Sequence, residues 1–219
     1  MALFDLKISE NRPEPTKKMF ENNLEAKSAA RLASFEQLQT AKVKIIRDHI
    51  PVPPRKGECI FVYTTNQFNT MAFIVWIIQT LGRIRSLTIS TYSIGATAIN
   101  TLMKWYDSGQ IEEIYFYCAT YPKRISPKNV DLLMAQAAAR ERVTVSFGFN
   151  HSKILLAQTG TEHIMISGSG NFSENAYNEQ YTICNDESIY KFYHDCIRED
   201  SPESRGQGEP PAAGQTEVV

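Results

Sequence analysis

The side chains best suited to chemistry lie between residues 147 and 181, where polar residues interrupt two apolar runs. His151 and Lys153 stand at the head of the first run, SKILLAQ, and the second run ends in Gly-Ser-Gly-Asn at 168–171. Side chains two apart on a strand share a face, and the short link TGTE makes the two runs an antiparallel hairpin. The pattern therefore predicts that an imidazole, an ammonium, a hydroxyl and an amide meet at one edge of an apolar sheet.

Together these four groups are suited to an oxyanion such as phosphate. Lys153, Ser169 and Asn171 supply hydrogen-bond donors without a pair of carboxylates beside them. A neutral His151 can attack phosphorus or carry a proton. No Asp and Glu cluster with metal-ligand spacing is nearby, so the sequence favours phosphoryl chemistry that uses neither a metal nor another cofactor.

Two glycines, Gly168 and Gly170, flank the serine of the second segment. Because glycine has no Cβ, it allows the backbone and a ligand to approach each other closely. We therefore predict that both glycines belong to the substrate-binding part of the site.

The two segments also resemble a known signature. HSK at 151–153, followed by an apolar strand, a turn and GSGNFSENA at 168–176, is similar to the HxK…GSxN motif of the phospholipase D superfamily. The likeness covers roughly residues 58 to 197, and STYSIGATAINTLMK at 90–104 resembles the strand, loop and helix upstream of that motif. It implies a phospholipase D-like α/β/α sandwich, a mixed sheet with helices on both faces, as in small bacterial endonucleases.

The resemblance implies a role for each matching residue. His151 would be the nucleophile that forms a phosphohistidine, or its acid–base partner. Lys153 and Asn171 would hold the non-bridging phosphate oxygens, and Ser169 would add a donor or orient a neighbour. Glu179, in the segment NEQ, resembles the acid that hydrogen-bonds and orients the histidine.

The sequence departs from the family pattern at Gln158, where the superfamily usually has Asp seven residues after the histidine. Parity along the strand predicts that Gln158 faces away from His151 and Lys153, so the change concerns scaffold hydrogen bonding more than phosphate contact. It keeps open a second hypothesis, a catalytically impaired nucleic-acid-binding or assembly module with the same fold.

The motif occurs once, although the mechanism needs two histidines, one to attack and one to protonate the leaving oxygen. The other three histidines, His49, His163 and His194, lack the lysine partner and the Gly-Ser-x-Asn segment. Short single-motif members of the family resemble half of the two-motif enzymes and dimerise to build one site. The resemblance therefore predicts a homodimer in which two copies of His151 share one coupled site.

The elements that must position these residues follow from the hydrophobic pattern. From Glu58 onward, short apolar runs alternate with helical segments, which indicates an α/β fold with a partly parallel sheet. Because the strands are almost continuously apolar, helices should cover both sheet faces. The predicted strands are 59–65, 86–94, 111–119, 143–149, 152–158, 163–169 and 181–186, and the helices are 68–82, 96–109, 126–141 and 187–197.

The flanking segments differ from this domain, which we place at 58–197. Residues 1–57 combine a polar segment with a helix predicted over 23–50, and residues 198–219 form an acidic tail rich in Pro, Gly and Ser, typical of disorder. Basic residues cluster at 83–85 and around Lys123, Arg124 and Lys128, where they could follow a nucleic-acid backbone.

Composition limits the remaining possibilities. The net charge of −1 gives no overall attraction to a polyanion, so any such site must be local. The four cysteines lack CxxC spacing and are interpreted as reduced thiols, and no signal peptide or bilayer-length apolar segment is visible. We expect a cytoplasmic, metal-independent phosphodiesterase without a membrane partner, and specifically a nuclease cleaving DNA or RNA; phospholipid hydrolysis is the third hypothesis.

Overall fold

The structure is a computed structural model that describes residues 44–65, 69–119, 127–172 and 178–200. All of these residues lie in the unit Gln39–Val219. Of the helix predicted over 23–50, residues 44–49 are helical, and the remainder before residue 44 lies outside the described residues. So do the acidic tail from residue 201 and the basic pair Lys123 and Arg124.

Within the described residues, strands and helices follow one another in the predicted order. Each predicted element is present, with its ends displaced by at most three residues. The elements are β1 (Glu58–Thr65), α1 (Thr70–Leu81), β2 (Ser86–Thr91), α2 (Ala96–Asp107), β3 (Ile114–Ala119), α3 (Pro127–Ala138), β4 (Val143–Gly148), β5 (Ile154–Gln158), β6 (His163–Gly168), β7 (Asn178–Asn185) and α4 (Glu187–Glu199).

The strands form one mixed sheet in the order β1-β7-β6-β5-β2-β3-β4. β2, β3 and β4 are parallel, and every other neighbouring pair is antiparallel, including the predicted hairpin of β5 and β6. Consequently β1, β2, β3, β4 and β6 all end at one edge of the sheet, where β5 and β7 begin. We call this the site edge.

Helices cover both faces of the sheet, as the apolar strands predict. On one face, the ring of Phe73 from α1 packs edge-on against Tyr181 of β7 at 4.9 Å. On the other face, Tyr190 and Ile197 of α4 pack in a cluster with Met165 of β6 and its neighbours. The sheet and these helices confirm the α/β class with a mixed sheet.

The interpretation of all four cysteines as reduced thiols is wrong. Cys59 of β1 and Cys184 of β7 form a disulfide, while Cys118 and Cys196 are free. The two bonded residues lie directly opposite each other in the antiparallel pair of β1 and β7. They are 125 residues apart in the sequence, and only the strand order brings them together.

The helix ends show which capping residues in the sequence adopt the expected conformation or make the expected hydrogen bond. Gly109 follows α2 with φ 73°, as expected of a glycine that ends a helix. Asn69 occupies the N-cap position of α1, but its side chain does not accept a hydrogen bond from the first turn. Asp186 does cap α4 in that way, because it accepts hydrogen bonds from the backbone N–H groups of Ser188 and Ile189.

Candidate functional site

The HSK segment lies at the site edge, immediately before β5. Because β5 begins at Ile154, His151 and Lys153 are not inside the strand, in contrast to the prediction of a strand from 152. The backbone N–H of Gly168 nevertheless donates to the carbonyl of Lys153 at 3.1 Å, which extends the contact with β6 by one residue. This bond joins the HSK segment to the glycine-rich segment 168–171.

The residue that holds the HSK segment in place is Asn150, which the sequence did not single out. Its buried amide nitrogen donates to the hydroxyl of Ser90 at 2.9 Å and to the carbonyl of Tyr117 at 2.8 Å. Its side-chain oxygen accepts from the backbone N–H and the hydroxyl of Ser152, at 2.8 and 2.7 Å. One amide therefore connects the ends of β2 and β3 to the residue between His151 and Lys153.

Replacing Asn150 with Ala is expected to lower the free energy of unfolding by about 2–3 kcal/mol, because several buried polar groups lose their partners together. Asn129→Ala is the matched control: its half-buried amide donates to the carbonyl of Ile94 at 3.1 Å, and loss of that bond should cost about 1 kcal/mol. Chemical denaturation of both variants measures the difference. Equal losses would show that the amide of Asn150 has no special role in joining the strands.

Tyr92, which follows β2, is a second residue that sequence reasoning missed. Its ring lies 4.7 Å from the ring of the exposed His151, and the ammonium of Lys153 is 5.6 Å from the same ring. The pairing of β2 with β5 explains the position, because Ser90 lies opposite Ile154 in that antiparallel ladder. The aromatic face offers the lysine a cation–π contact.

Lys153 brings a positive charge to the site edge. Its ammonium donates to the carbonyl of His151 at 2.9 Å. Partial burial lowers the pKa of Lys153, and the charge of Glu179 opposes that shift by favouring the cation. Glu179 is buried on β7. Its charge therefore reaches a lysine that precedes β5, although β6 lies between β5 and β7.

Ser169 is held by β7. Its hydroxyl donates to the carboxylate of Glu179 and accepts from the backbone N–H of Gln180 at 3.0 Å. Its own N–H donates to the carbonyl of Gln180 at 3.0 Å. Glu179 thus accepts a hydrogen bond from the serine of the motif; its contact with the histidine, which the resemblance implies, stays a prediction.

The ring of Tyr181 leaves no room for a side chain at Gly168 or Gly170. A Cβ added at Gly168 would overlap the ring of Tyr181 and the carbonyl of Gln180, and one added at Gly170 would overlap the hydroxyl of Tyr181. The carbonyl of Gly170 also accepts a buried hydrogen bond from Thr70 at 2.9 Å. The close approach expected at these glycines is therefore made by the protein itself.

Asn171 ends the motif beside the start of α2. The next residue, Phe172, forms an isolated bridge with Ile94, and its carbonyl accepts from the N–H of Gly95 at 3.3 Å. Within the described residues, the side-chain oxygen of Asn171 is buried and has no hydrogen-bond donor. No protein donor in that part of the chain therefore fixes the orientation of this amide.

Gln158 lies at the opposite end of β5 from the HSK segment. It pairs with Ser86 of β2 and His163 of β6, five residues from Lys153. Five residues of extended strand span roughly 16 Å. The position that departs from the family pattern is therefore remote from the groups gathered at the site edge.

The described residues contain neither a metal-binding cluster nor a membrane-spanning helix. No group of three or more His, Cys, Asp or Glu side chains in that part of the chain is arranged to hold a metal ion. No helix described by the structure has both the length and the apolar character needed to cross a bilayer.

No family model and no curated protein matches the sequence. Among solved structures, the chain is similar to a phospholipase D family member, Nuc from Salmonella typhimurium, with 10% identity over 65% of this chain and 93% of that chain and a TM-score of 0.49. Polyphosphate kinase from Porphyromonas gingivalis gives 14% identity over 70% of this chain and 27% of that chain, with a TM-score of 0.47.

A third similar structure is TrmBL2, an archaeal chromatin protein described as having a novel mode of DNA binding. It shares 11% identity over 85% of this chain and 69% of that chain, with a TM-score of 0.44. Identities and scores this low leave the activity and the substrate to be argued from the residues of the site.

Proposed function

We propose that this chain is a metal-independent phosphodiesterase of the phospholipase D type, and more specifically a nuclease. The observation that carries the proposal is the hydrogen bond from Gly168 to Lys153, because it fastens the GSGN segment to the HSK segment at the site edge. The exposed imidazole of His151 precedes this junction by two residues. Glu179 links the two segments, because its charge acts on Lys153 and its carboxylate accepts a hydrogen bond from Ser169. This arrangement suits a tetrahedral oxyanion.

In the proposed reaction, an imidazole nitrogen of His151 attacks phosphorus while the bond to the leaving oxygen breaks. A second histidine protonates that oxygen. Water then attacks the phosphohistidine, gives its proton to the second histidine and releases the phosphate from His151. Lys153 stabilises the charge on the non-bridging oxygens, and Glu179 helps to keep the lysine protonated against its partial burial.

The second histidine is proposed to come from a second copy of the chain. His163 begins β6, at the far end from the site edge, and its ring packs against Tyr190 at 5.2 Å. His194 on α4 stacks on the same tyrosine at 6.1 Å. His49 belongs to the helical residues 44–49 and does not carry the motif. A two-fold dimer that pairs two exposed His151 rings supplies the missing acid.

We take nucleic acid, DNA or RNA, as the substrate in preference to phospholipid. Ser167 on β6 and Gln180 on β7 border the site edge, and their uncharged side chains are able to donate and accept hydrogen bonds. Such groups suit the edges and sugars of nucleotides more than an acyl chain.

The test is a cleavage assay in excess EDTA with plasmid, single-stranded DNA, RNA and bis(p-nitrophenyl) phosphate. We expect cleavage of the small diester and of at least one nucleic acid, retained in His163→Ala, the matched control for loss of a histidine away from the site edge. Activity that depends wholly on added metal would contradict the mechanism. Binding without cleavage would favour the impaired module that Gln158 leaves open. A strict monomer in sedimentation under assay conditions would contradict the shared site.

A further inference from the structure

Two aromatic side chains on β1 are unusually exposed. Phe61 is 81% exposed and Tyr63 is 70% exposed, although both lie within a strand of the sheet. They are two residues apart and therefore point to the same face, about 7 Å from each other along the strand. The two rings therefore form an apolar patch that is open to solvent.

Uncharged polar side chains stand beside these rings. Opposite Phe61 in the β1–β7 ladder is Thr182, and opposite Tyr63 is Gln180. Ser167 of β6 lies opposite Thr182 and continues the first row. We call these five residues the aromatic face. They line most of a cavity of about 490 Å³, and none of the five carries a charge.

The packing of the helices explains why this face is open. Tyr181 points to the other side, where its ring meets Phe73 of α1. Helix α4 covers the same side as the aromatic face, but it packs on β5 and β6 and leaves β1 exposed. The edge position of β1 in the sheet therefore places both rings beyond the reach of α4.

The aromatic face adjoins the site edge through the backbone of β6 and β7. Gln180 contributes its side chain to this face and its backbone to both hydrogen bonds with Ser169. Gly168, whose backbone N–H donates to the carbonyl of Lys153, also lines the cavity. Tyr63 lies two residues from the end of β1 at the site edge, and Phe61 lies four residues from it.

We propose that the aromatic face binds the bases of a single-stranded nucleic acid whose backbone enters the site edge. Rings of Tyr63 and Phe61 stack on successive bases, and the amide and hydroxyl groups beside them hydrogen-bond to base edges or sugars. This inference deepens the proposed nuclease function and rests on it for the position of the scissile phosphate.

The chemistry of the face favours this occupant. In a duplex the bases are stacked on one another, and extruding them costs a few kcal/mol, so the rings would find no base to bind. The core of a stable protein interface is mostly apolar, whereas here each ring stands opposite an amide or a hydroxyl. Stacking tolerates any base, so the face would confer a preference for strandedness and little preference for sequence.

The experiment measures binding without cleavage, in a His151→Ala background, by the fluorescence anisotropy of a labelled single-stranded oligonucleotide. Phe61→Ala and Tyr63→Ala are each expected to weaken binding about 5- to 150-fold, the range that corresponds to loss of one stacked base. An abasic oligonucleotide of the same length should bind the His151→Ala parent weakly. Its affinity should equal that of the intact oligonucleotide for the variant that also carries Phe61→Ala and Tyr63→Ala. Met134→Ala on α3, which removes another exposed apolar side chain, should have no effect.

Equal affinity of the aromatic variants and the parent would overturn the proposal, as would equal binding of the abasic and intact oligonucleotides. A shift from dimer to monomer in the aromatic variants would assign the face to a second copy, and loss of binding to phosphatidylcholine vesicles would assign it to lipid; either would overturn it. Phe61→Leu and Tyr63→Leu keep an apolar side chain without the stacking ring and guard against an effect on folding. Since binding is scored without turnover, its outcome is independent of the EDTA cleavage assay.

Discussion

Replacing His151 with Ala is expected to lower phosphodiester cleavage by at least about 10³-fold. The proposed dimer explains the size of the effect, because one substitution removes both the attacking imidazole and the one that protonates the leaving oxygen. His151 is exposed and its ring lies beside Tyr92, so the free energy of unfolding should change by less than about 0.5 kcal/mol. Initial rates on bis(p-nitrophenyl) phosphate, together with denaturant unfolding, measure both quantities.

The same variant tests whether the site is shared. Co-refolding equal amounts of wild type and His151→Ala produces dimers at random. If each site needs both histidines, only dimers of two wild-type chains are active. Such dimers make up roughly a quarter of the total, one half squared, so the mixture should show about a quarter of the activity of the same total amount of wild-type protein. Retention of one half would indicate that each chain acts alone and would contradict the shared site. A His163→Ala mixture, which should keep full activity, controls for losses in refolding.

Replacing Gly170 with Ala is expected to lower the free energy of unfolding by about 2–3 kcal/mol. The added Cβ would occupy the space of the hydroxyl of Tyr181, which is 2% exposed and packs against Phe73 on its other side. Because neither ring has room to move, the backbone of the motif must shift. For a chain of this size, the loss corresponds to a melting temperature about 5–10 °C lower.

Gly160→Ala is the matched control for this prediction. It lies in the exposed turn between β5 and β6, and a Cβ there would meet nothing within 4 Å, so its effect should stay within about 0.5 kcal/mol. A double variant, Gly170→Ala with Tyr181→Phe, removes the overlapping hydroxyl and should recover part of the loss. Strict additivity of the two substitutions would show that the overlap with Tyr181 is not the cause.

The order and type of the elements could be predicted because the apolar runs have clear periods and lengths. β3, for example, is buried at every position, and its sequence is correspondingly apolar and aromatic. Local signals at helix ends were less reliable: Asn69 occupies a cap position without making the bond, while Asp186 makes it and was not singled out. Capping depends on a side-chain rotamer, which the sequence does not specify.

The candidate site could be predicted only as far as its motif extends. Parity along a strand predicted that His151 and Lys153 project together, but both precede β5, and Asn150 is what holds that segment. An asparagine before a motif carries no visible signal, since its partners come from β2 and β3. Tyr92 was missed for the same reason, because its place beside the histidine follows from strand order.

Contacts between the first and last strands could not be predicted. Nothing in the sequence pairs Cys59 with Cys184, or places Tyr63 beside Gln180, until β1 and β7 are known to be neighbours. Apolar patterns identify a strand but do not name its partner, since any similarly apolar strand satisfies the same burial. The disulfide and the aromatic face both depend on that one pairing.

The strand order also has a consequence for synthesis of the protein on the ribosome. β2, β3, β4 and β5 lie within residues 86–158, so the support of the histidine and lysine can form before the rest of the sheet is complete. Of the strands that the structure describes, β1 emerges first, and its one neighbour among them is β7, which ends at Asn185. A nascent chain therefore carries an unpaired β1, with Phe61 and Tyr63 on it, through most of translation. We expect contact with chaperones to concentrate on this strand and to end when β7 pairs with it.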